Sequence, residues 1–283
     1  MSRVMVVKGD NKTGKSTVCL TAPKKIGYQE FDAGGYNRAS HRFPGIEENV
    51  ILKRYLEPRD QQRLKLGLVK KKVGLDAQVR GMRELYIKAT EDYLAFLDDP
   101  EIQTVVWDSG PKFWRIITAS VLQEKQEAQI AQFIKSRGES ALHEIKLRER
   151  LLQIEYSEPN ERHRNFIYAA RESGKNLIIV VTLRDEYKKQ LDSRGDVVDM
   201  PTGRKEADGW SWDHMKQEVD LVIDTRVEAK QTKENGRTTN QYIPYAKVTL
   251  SGEGLEILDL DLEAPNWSTL DNFISLHKNN SSE

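Results

Sequence analysis

The sequence predicts an α/β protein with a mostly parallel central sheet, antiparallel strands near the C-terminus and a helical insertion. Short apolar segments of strand length alternate with helical patterns over the first 182 residues, which is typical of a parallel sheet covered by helices. Later, two strand-like segments flank Asn235-Gly236, a preferred centre of tight hairpin turns. The predicted strands are residues 3–8, 26–31, 49–53, 103–107, 176–182, 219–228, 241–250 and 255–258.

The predicted helices follow from apolar residues spaced three and four apart. They cover residues 16–21, 76–97, 113–134, 142–154, 158–171 and 268–277. The three between 113 and 171 are rich in Lys, Arg, Glu and Gln, and Gly138 separates the first two. We therefore expect one domain over residues 1–278 with a charged helical insertion at 112–175, and a frayed end at 279–283. The insertion is either a solvated helical hairpin at the edge of the sheet or a surface for a protein partner.

The composition indicates a soluble globular chain of 283 residues, with 38% hydrophobic and 31% charged residues and no net charge. Since no apolar stretch approaches the roughly 20 residues of a membrane span, we expect no membrane contact and a cytoplasmic location. The single cysteine, Cys19, excludes an internal disulfide. Positive charge is concentrated at residues 53–72 and negative charge at 253–271. The basic run fits a polyanion partner or a solvated loop equally well.

Residues 9–16 read Gly-Asp-Asn-Lys-Thr-Gly-Lys-Ser, the complete phosphate-loop pattern G-x-x-x-x-G-K-[ST]. A predicted strand precedes this loop and a predicted helix follows it, as the pattern requires. The glycines let the backbone approach phosphate oxygens, Lys15 supplies a charge for the β- and γ-phosphates, and Ser16 supplies a hydroxyl for Mg²⁺. The predicted nucleotide-binding residues are Gly9, Asp10, Asn11, Lys12, Thr13, Gly14, Lys15, Ser16 and Thr17.

A second nucleotide element is predicted where the apolar strand at 103–107 ends in Asp108-Ser109. In phosphate-loop proteins a carboxylate at such a strand tip holds the water shell of the metal ion. We therefore predict Ser16 and Asp108 as the Mg²⁺ site. Another predicted strand, at 26–31, lies between the two motifs in the chain, which suits the branch of these proteins with an extra strand between them.

The chain now resembles the RecA-like recombinase ATPases, in particular the phage-encoded RecA-like nucleotide-binding proteins associated with single-strand annealing. Besides the phosphate loop, the resemblance rests on Glu30-Phe31-Asp32-Ala33-Gly34-Gly35, on Trp107-Asp108-Ser109 and on the strand at 178–184, and it covers residues 3–250 without 112–175. It implies a RecA-like P-loop NTPase fold with ATP and Mg²⁺ as cofactors, and Thr182 or Arg184 as a γ-phosphate sensor.

One position departs from this family, whose second-strand motif carries a glutamate that activates the attacking water. The matching residue here is Gly34, and the nearest carboxylates are Glu30 and Asp32. Asp32 is either a substitute base or a structural residue at the strand end, so we expect any ATP hydrolysis to be slow. The candidates for catalysis are Lys15, Asp108, Asp32, Thr182 and Arg184.

The resemblance places a DNA-contacting loop at residues 185–217. The loop is rich in cations and aromatic side chains, which suit phosphates and stacked bases, although its tryptophans could equally anchor it on the core. The predicted DNA-binding residues are Lys188, Lys189, Arg194, Arg204, Lys205 and Trp210.

The leading hypothesis is an ATP-binding RecA-like protein, phage-encoded and located in the host cytoplasm. It would act in DNA recombination or single-strand annealing by assembling on single-stranded DNA as a homo-oligomer, a ring or a filament. The alternative is a nucleotide-gated protein-interaction switch with little hydrolysis, whose helical insertion contacts a protein partner. A small-molecule kinase is the weaker reading, because the antiparallel C-terminal strands do not suggest the arginine-rich lid of such enzymes.

Overall fold

One mixed sheet organises the computed structural model, which describes residues 2–32, 34–58, 77–191, 197–207, 216–234, 237–252, 258–259 and 261–280. Within these residues the strand order is β3-β2-β4-β5-β1-β7-β8-β9, with β6 paired to β5. The strands are β1 (Val4–Gly9), β2 (Ile26–Glu30), β3 (Val50–Arg54), β4 (Thr104–Asp108), β5 (Asn176–Leu191), β6 (Val197–Ala207), β7 (Leu221–Glu234), β8 (Arg237–Ser251) and β9 (Asp261–Glu263).

The strands from β3 to β7 in this order pair in parallel, whereas β7, β8 and β9 pair antiparallel. This confirms a mostly parallel sheet with antiparallel C-terminal strands. β5 lies between β1 and β4, so one strand separates the phosphate loop from Asp108. Because β1, β5 and β4 run in the same direction, the carboxyl ends of β1 and β4 lie on either side of residues 180–182 of β5. Ligands bind at this edge in open α/β sheets.

Helices cover both faces of the sheet. They are α1 (Lys15–Leu20), α2 (Gly35–Ser40), α3 (Met82–Asp98), α4 (Gly110–Arg137), α5 (Ser157–Glu172) and α6 (Trp267–Asn280). Alternate residues of β1 enter opposite cores: Val4 and Val6 pack with residues of α3, α4 and α5, while Met5 and Val7 pack with residues of α1 and α6. Burial on both faces explains why β1 reads as a continuous apolar run.

The charged segment at 112–175 differs from its prediction in two ways. Its middle helix, predicted over 142–154, is wrong, because the chain there forms only the short 3-10 turns Glu139–Glu144 and Gln153–Tyr156. The outer helices are not an excursion at the sheet edge, since Phe113, Ile117, Phe166 and Ile167 belong to the main core. The apolar residues of these two helices are bulky and share one face of each helix. The highly charged overall composition of the segment therefore did not indicate that both helices pack in the core.

Other boundaries shift for local reasons. The helix predicted from residue 76 begins at Met82, after Gly81 with a φ of 76°, and residue 76 itself lies outside the described residues. Asn235-Gly236 also lies outside them, although Glu234 pairs with Arg237 across the predicted hairpin. Of the strand predicted at 255–258 only Leu258 is described, and it lies in a turn. Most of the basic run at 53–72 is outside the description as well.

No helix in the described part of the chain combines the length and the apolar character needed to cross a bilayer.

Candidate functional site

A tight loop joins β1 to α1. A side chain at Gly9 would collide with its neighbours, since its Cβ would lie 2.5 Å from the carbonyl oxygen of Thr225 and 2.7 Å from the hydroxyl of Thr13. Gly14, directly before α1, has a φ of 95°, a left-handed conformation that costs glycine little. The structure therefore requires glycine at both positions where the phosphate-loop pattern has it.

The ammonium group of Lys15 lies inside this loop. Its Nζ donates to the carbonyl oxygens of Gly9, at 2.8 Å, and of Asp10, at 2.5 Å. Burial lowers the pKa of Lys15, and the carboxylates of Asp108 and Asp10 oppose that shift. The loop thus holds a cation in a partly desolvated place, where its attraction for an anionic oxygen is stronger than in bulk water.

A cavity of about 160 Å³ is lined by the loop, α2, the end of β4 and the middle of β5, at Val180 and Thr182. Residues 11–17 of the loop and α1 line one side, whereas Asp32, Asp108 and Thr182 line the other. The structure therefore brings together residues 11–17 of the predicted nucleotide-binding set, both predicted metal ligands and four of the five predicted catalytic candidates, all except Arg184.

Asp108 ends β4 at the floor of this cavity, and its side chain is almost entirely buried. The hydroxyl of Tyr28 donates to its Oδ2 at 2.6 Å. Burial raises the pKa of Asp108 against the opposing effect of this hydrogen bond, and Glu30 and Asp32 add to the rise. Because burial disfavours the charged carboxylate, a divalent cation bound beside it would stabilise the ionised form.

The donors present fit Mg²⁺, which prefers hard oxygen ligands and keeps part of its water shell. The lining of the cavity includes the carboxylate of Asp108 and the hydroxyl of Ser16, next to the cationic loop, with a second carboxylate from Asp32. Among the described residues no cluster of histidine, cysteine and carboxylate side chains would hold another metal.

Comparison with known protein families supports the assignment of this cavity as a nucleotide site. Residues 1–249 match the family model of the AAA domain. The chain belongs to the AAA domain family. It is therefore a P-loop protein of the AAA ATPase type, and membership implies that it binds a nucleotide, in this family typically with Mg²⁺. A search of curated proteins returned no match.

The two carboxylates near Gly34, Glu30 and Asp32, differ in their surroundings. Only one of them is exposed to the cavity. In this AAA domain Glu30 is buried, and it accepts hydrogen bonds from the backbone N–H of Tyr36, at 2.8 Å, and from Nε of Arg54, at 2.7 Å. Asp32 is exposed and lines the cavity. Glu30 therefore ties β2 to α2 and β3, and Asp32 is the side chain of the pair that can reach a bound ligand.

Gly34 cannot easily be a glutamate in this AAA domain. It precedes α2 with a φ of 83°, where a side chain would be strained. A Cβ there would also lie 3.2 Å from a terminal nitrogen of Arg38. The departure from the RecA-like pattern thus has a backbone reason.

The two predicted γ-phosphate sensors separate. Thr182 lies opposite Gly9 in the β1–β5 ladder and lines the cavity. Arg184, two residues further along β5, forms an ion pair with Glu206 of β6 at 2.8 Å and does not belong to the described lining of the cavity. Of the two, the structure places only Thr182 at the site.

The prediction of a loop at 185–217 is wrong for the described residues up to Ala207. There β5 and β6 form an antiparallel hairpin. Both faces of this hairpin are largely exposed, so its sequence lacks the alternation that reveals a strand. Lys188 and Lys189 lie on β5, and Arg204 and Lys205 on β6. Arg194 and Trp210 lie outside the described residues.

The hairpin is bonded to the phosphate loop. Nζ of Lys205 lies 2.7 and 2.8 Å from the two carboxylate oxygens of Asp10. This pair raises the pKa of Lys205, chiefly through the hydrogen bond to Asp10. A residue predicted to bind DNA therefore contacts the nucleotide loop directly.

Sequence reasoning missed three side chains at the site. Arg38 and Arg42 line the cavity, and Tyr28 holds Asp108. The arginines are spaced four apart just after Gly34-Gly35, a spacing that brings side chains to one helix face and could have drawn attention to them. Tyr28 had no local signal, because its role depends on the pairing of β2 with β4.

Proposed function

We propose that this AAA domain is an ATP-binding protein of the RecA-like type, in which Mg²⁺ and ATP at the phosphate loop control contact of the β5–β6 hairpin with single-stranded DNA. The ion pair between Lys205 and Asp10 carries the proposal, because it joins the hairpin to the nucleotide loop. A change at the loop on nucleotide binding would then reach the hairpin without any intermediate element.

The residues that would hold the cofactors are those around the cavity. The backbone N–H groups of residues 11–17 and the ammonium group of Lys15 would bind the phosphates, and Ser16 and Asp108 would hold Mg²⁺. The metal would neutralise phosphate charge. Asp32 and Thr182 would face the terminal phosphate, and with Gly34 in the place of the activating glutamate we expect slow hydrolysis.

The hairpin has the side chains that a single strand requires. Lys188, Lys189 and Arg204 are exposed, and none of them forms an ion pair with another described residue. Tyr187 is 57% exposed and offers a ring on which a base could stack. Three exposed cations on the same hairpin as an exposed aromatic ring favour a flexible polyanion over a small ligand.

The wider role proposed is DNA recombination or single-strand annealing. The protein would be phage-encoded, would act in the host cytoplasm, and its subunits would assemble as a ring or a filament. This part rests on the resemblance in the phosphate loop and the strand motifs. That resemblance does not include residues 112–175.

Anisotropy of a fluorescent single strand, with and without Mg²⁺-ATP and over a salt series, tests the proposal. We expect ATP-dependent binding that weakens with salt, loss of the ATP effect in Lys15→Ala, and weaker binding by the double variant Lys188→Ala/Lys189→Ala. Lys135→Ala/Lys146→Ala removes two exposed lysines elsewhere and is the matched control. Absence of binding by the wild type at low salt, or an undiminished ATP effect in Lys15→Ala, contradicts the proposal.

A nucleotide-gated interaction switch is the second candidate, favoured by one observation. Leu152, directly before the 3-10 turn Gln153–Tyr156, and Ile154, within that turn, are 59% and 82% exposed. Deleting 112–175 would remove core residues, so Leu152→Ser/Ile154→Ser is the better probe. Titration of a purified partner against this variant and the wild type, each with and without ATP, should show weaker binding by the variant; equal binding argues against this surface.

A further inference from the structure

Two arginines of α2 and its C-terminal turn face the nucleotide cavity. Arg38 and Arg42 line it together with Lys15 and Asp32. Both guanidinium groups are exposed, and neither has a hydrogen bond or ion pair with another described residue. Their charges are therefore available to a ligand.

Arg38 and Arg42 share the cavity with Asp108, the carboxylate proposed to hold Mg²⁺. A Cβ at Gly34 would lie 3.2 Å from a terminal nitrogen of Arg38, and a Cβ at the next residue, Gly35, would lie 2.5 Å from Oδ2 of Asp108. Gly34 and Gly35 are adjacent at the start of α2, so Arg38 and Asp108 flank the same short segment beside the cavity. In a nucleotide bound by the phosphate loop, the metal ion and the terminal phosphate lie together, so this part of the cavity receives the terminal phosphate.

The charge balance of the lining supports an anionic ligand larger than the loop alone would need. The lining contains four cations, from Lys12, Lys15, Arg38 and Arg42, and two carboxylates, from Asp32 and Asp108. A triphosphate remains negatively charged after it binds Mg²⁺, whereas a diphosphate places less charge at the far end. The attraction between the two guanidinium groups and the nucleotide is therefore strongest when the third phosphate is present.

We propose that Arg38 and Arg42 bind the terminal phosphate of the nucleotide and make the site select triphosphates over diphosphates. The planar guanidinium presents two parallel N–H groups to phosphate oxygens, which a lysine cannot do. The cavity wall thus presents a cation at the point where the RecA-like pattern implies a glutamate, and it recognises the triphosphate rather than activating water. This inference rests on the proposed nucleotide site.

Calorimetric titration of the full chain with Mg²⁺-ADP and with a Mg²⁺-ATP analogue carrying an imido β,γ-bridge tests it. The variants are Arg38→Ala, Arg42→Ala, their double and Arg38→Lys. Arg150→Ala, at an exposed arginine without an ion pair in the described chain, is the control. Thermal melts establish that each variant is folded, which we expect because both side chains are exposed.

We expect each alanine variant to lose roughly tenfold to a hundredfold in affinity for the triphosphate and little for the diphosphate, as for the loss of a charged hydrogen bond. Arg38→Lys should recover part of the loss. A wild-type ratio of triphosphate to diphosphate affinity in the double variant, or an equal loss of both, overturns the inference and leaves the nucleotide site standing. If the wild type binds neither nucleotide, the proposed function fails and this inference fails with it.

Discussion

Replacing Gly35 with alanine should weaken metal-dependent nucleotide binding by displacing Asp108. The new Cβ would lie 2.5 Å from Oδ2 and 3.4 Å from Cγ of the Asp108 carboxyl group. That oxygen already accepts the hydroxyl of Tyr28 at 2.6 Å, so the carboxylate has little room to turn away. Gly35 does not have a positive φ, so alanine suits its backbone. Among the described atoms the new Cβ would overlap with Asp108, while Oε1 of Glu30, at 3.7 Å, is at ordinary contact distance.

The size of the effect follows from this overlap. A Cβ and a carboxylate oxygen at 2.5 Å are well inside contact distance, and either the carboxylate or α2 must shift. One extra methyl group in a packed site costs about 1–3 kcal/mol. If the displaced Asp108 accounts for this cost in the metal complex, affinity for Mg²⁺-ATP falls about 5-fold to about 150-fold.

The assay is calorimetric titration with ATP over a series of Mg²⁺ concentrations and in the presence of a chelator. We expect the loss in Gly35→Ala to appear only when Mg²⁺ is present. Gly252→Ala is the matched control, since its Cβ would approach nothing closer than the carbonyl oxygen of Asp220 at 3.6 Å. An unchanged Mg²⁺ dependence in Gly35→Ala would refute the assignment of Asp108 as the metal ligand.

Two further predictions concern the hairpin and the core. Lys205→Ala should weaken ATP binding several-fold, because Asp10 is left as an uncompensated negative charge at the loop. Adding Asp10→Asn to this variant should restore ATP affinity. Additive losses of affinity in the double variant contradict the coupling between Lys205 and Asp10. His163 is fully buried, and burial lowers its pKa from 6.5 to about 4. As the pH falls below 6.5, the unfolded state therefore takes up a proton on this histidine before the folded state does. The stability that neutral His163 contributes above pH 6.5 is lost as the pH falls toward 4, by about 3 kcal/mol. Denaturant unfolding at pH 7 and pH 4 should show a smaller loss in His163→Leu than in the wild type or in His143→Leu, an exposed control; equal losses in all three contradict it.

The phosphate loop and Asp108 could be predicted because their signals are local. A strand, a glycine-containing loop and a helix follow one another within the first 20 residues, and Asp108 ends an apolar run. The strand order that places Asp108 beside the loop depends on β5, which lies far along the chain, and only the structure shows it.

The rest of the site depends on contacts between distant segments. Tyr28 reaches Asp108 because β2 and β4 are neighbours, and Lys205 reaches Asp10 because β6 folds back along β5. The hairpin itself escaped prediction because strands exposed on both faces have no alternating pattern. Arg38 is one of 44 basic residues, and without the fold nothing distinguishes it from the others.

Binding of Mg²⁺-ATP to the wild type and to Lys15→Ala, measured by calorimetry on the full chain, tests the central claim most directly. The ammonium group of Lys15 lies within the loop, against the carbonyl oxygens of Gly9 and Asp10. We predict saturable, Mg²⁺-dependent binding by the wild type and a loss of roughly tenfold or more in Lys15→Ala, as for removal of a charged hydrogen-bond donor. No binding by the wild type, or equal binding by the two proteins, would contradict the assignment of this cavity as a nucleotide site.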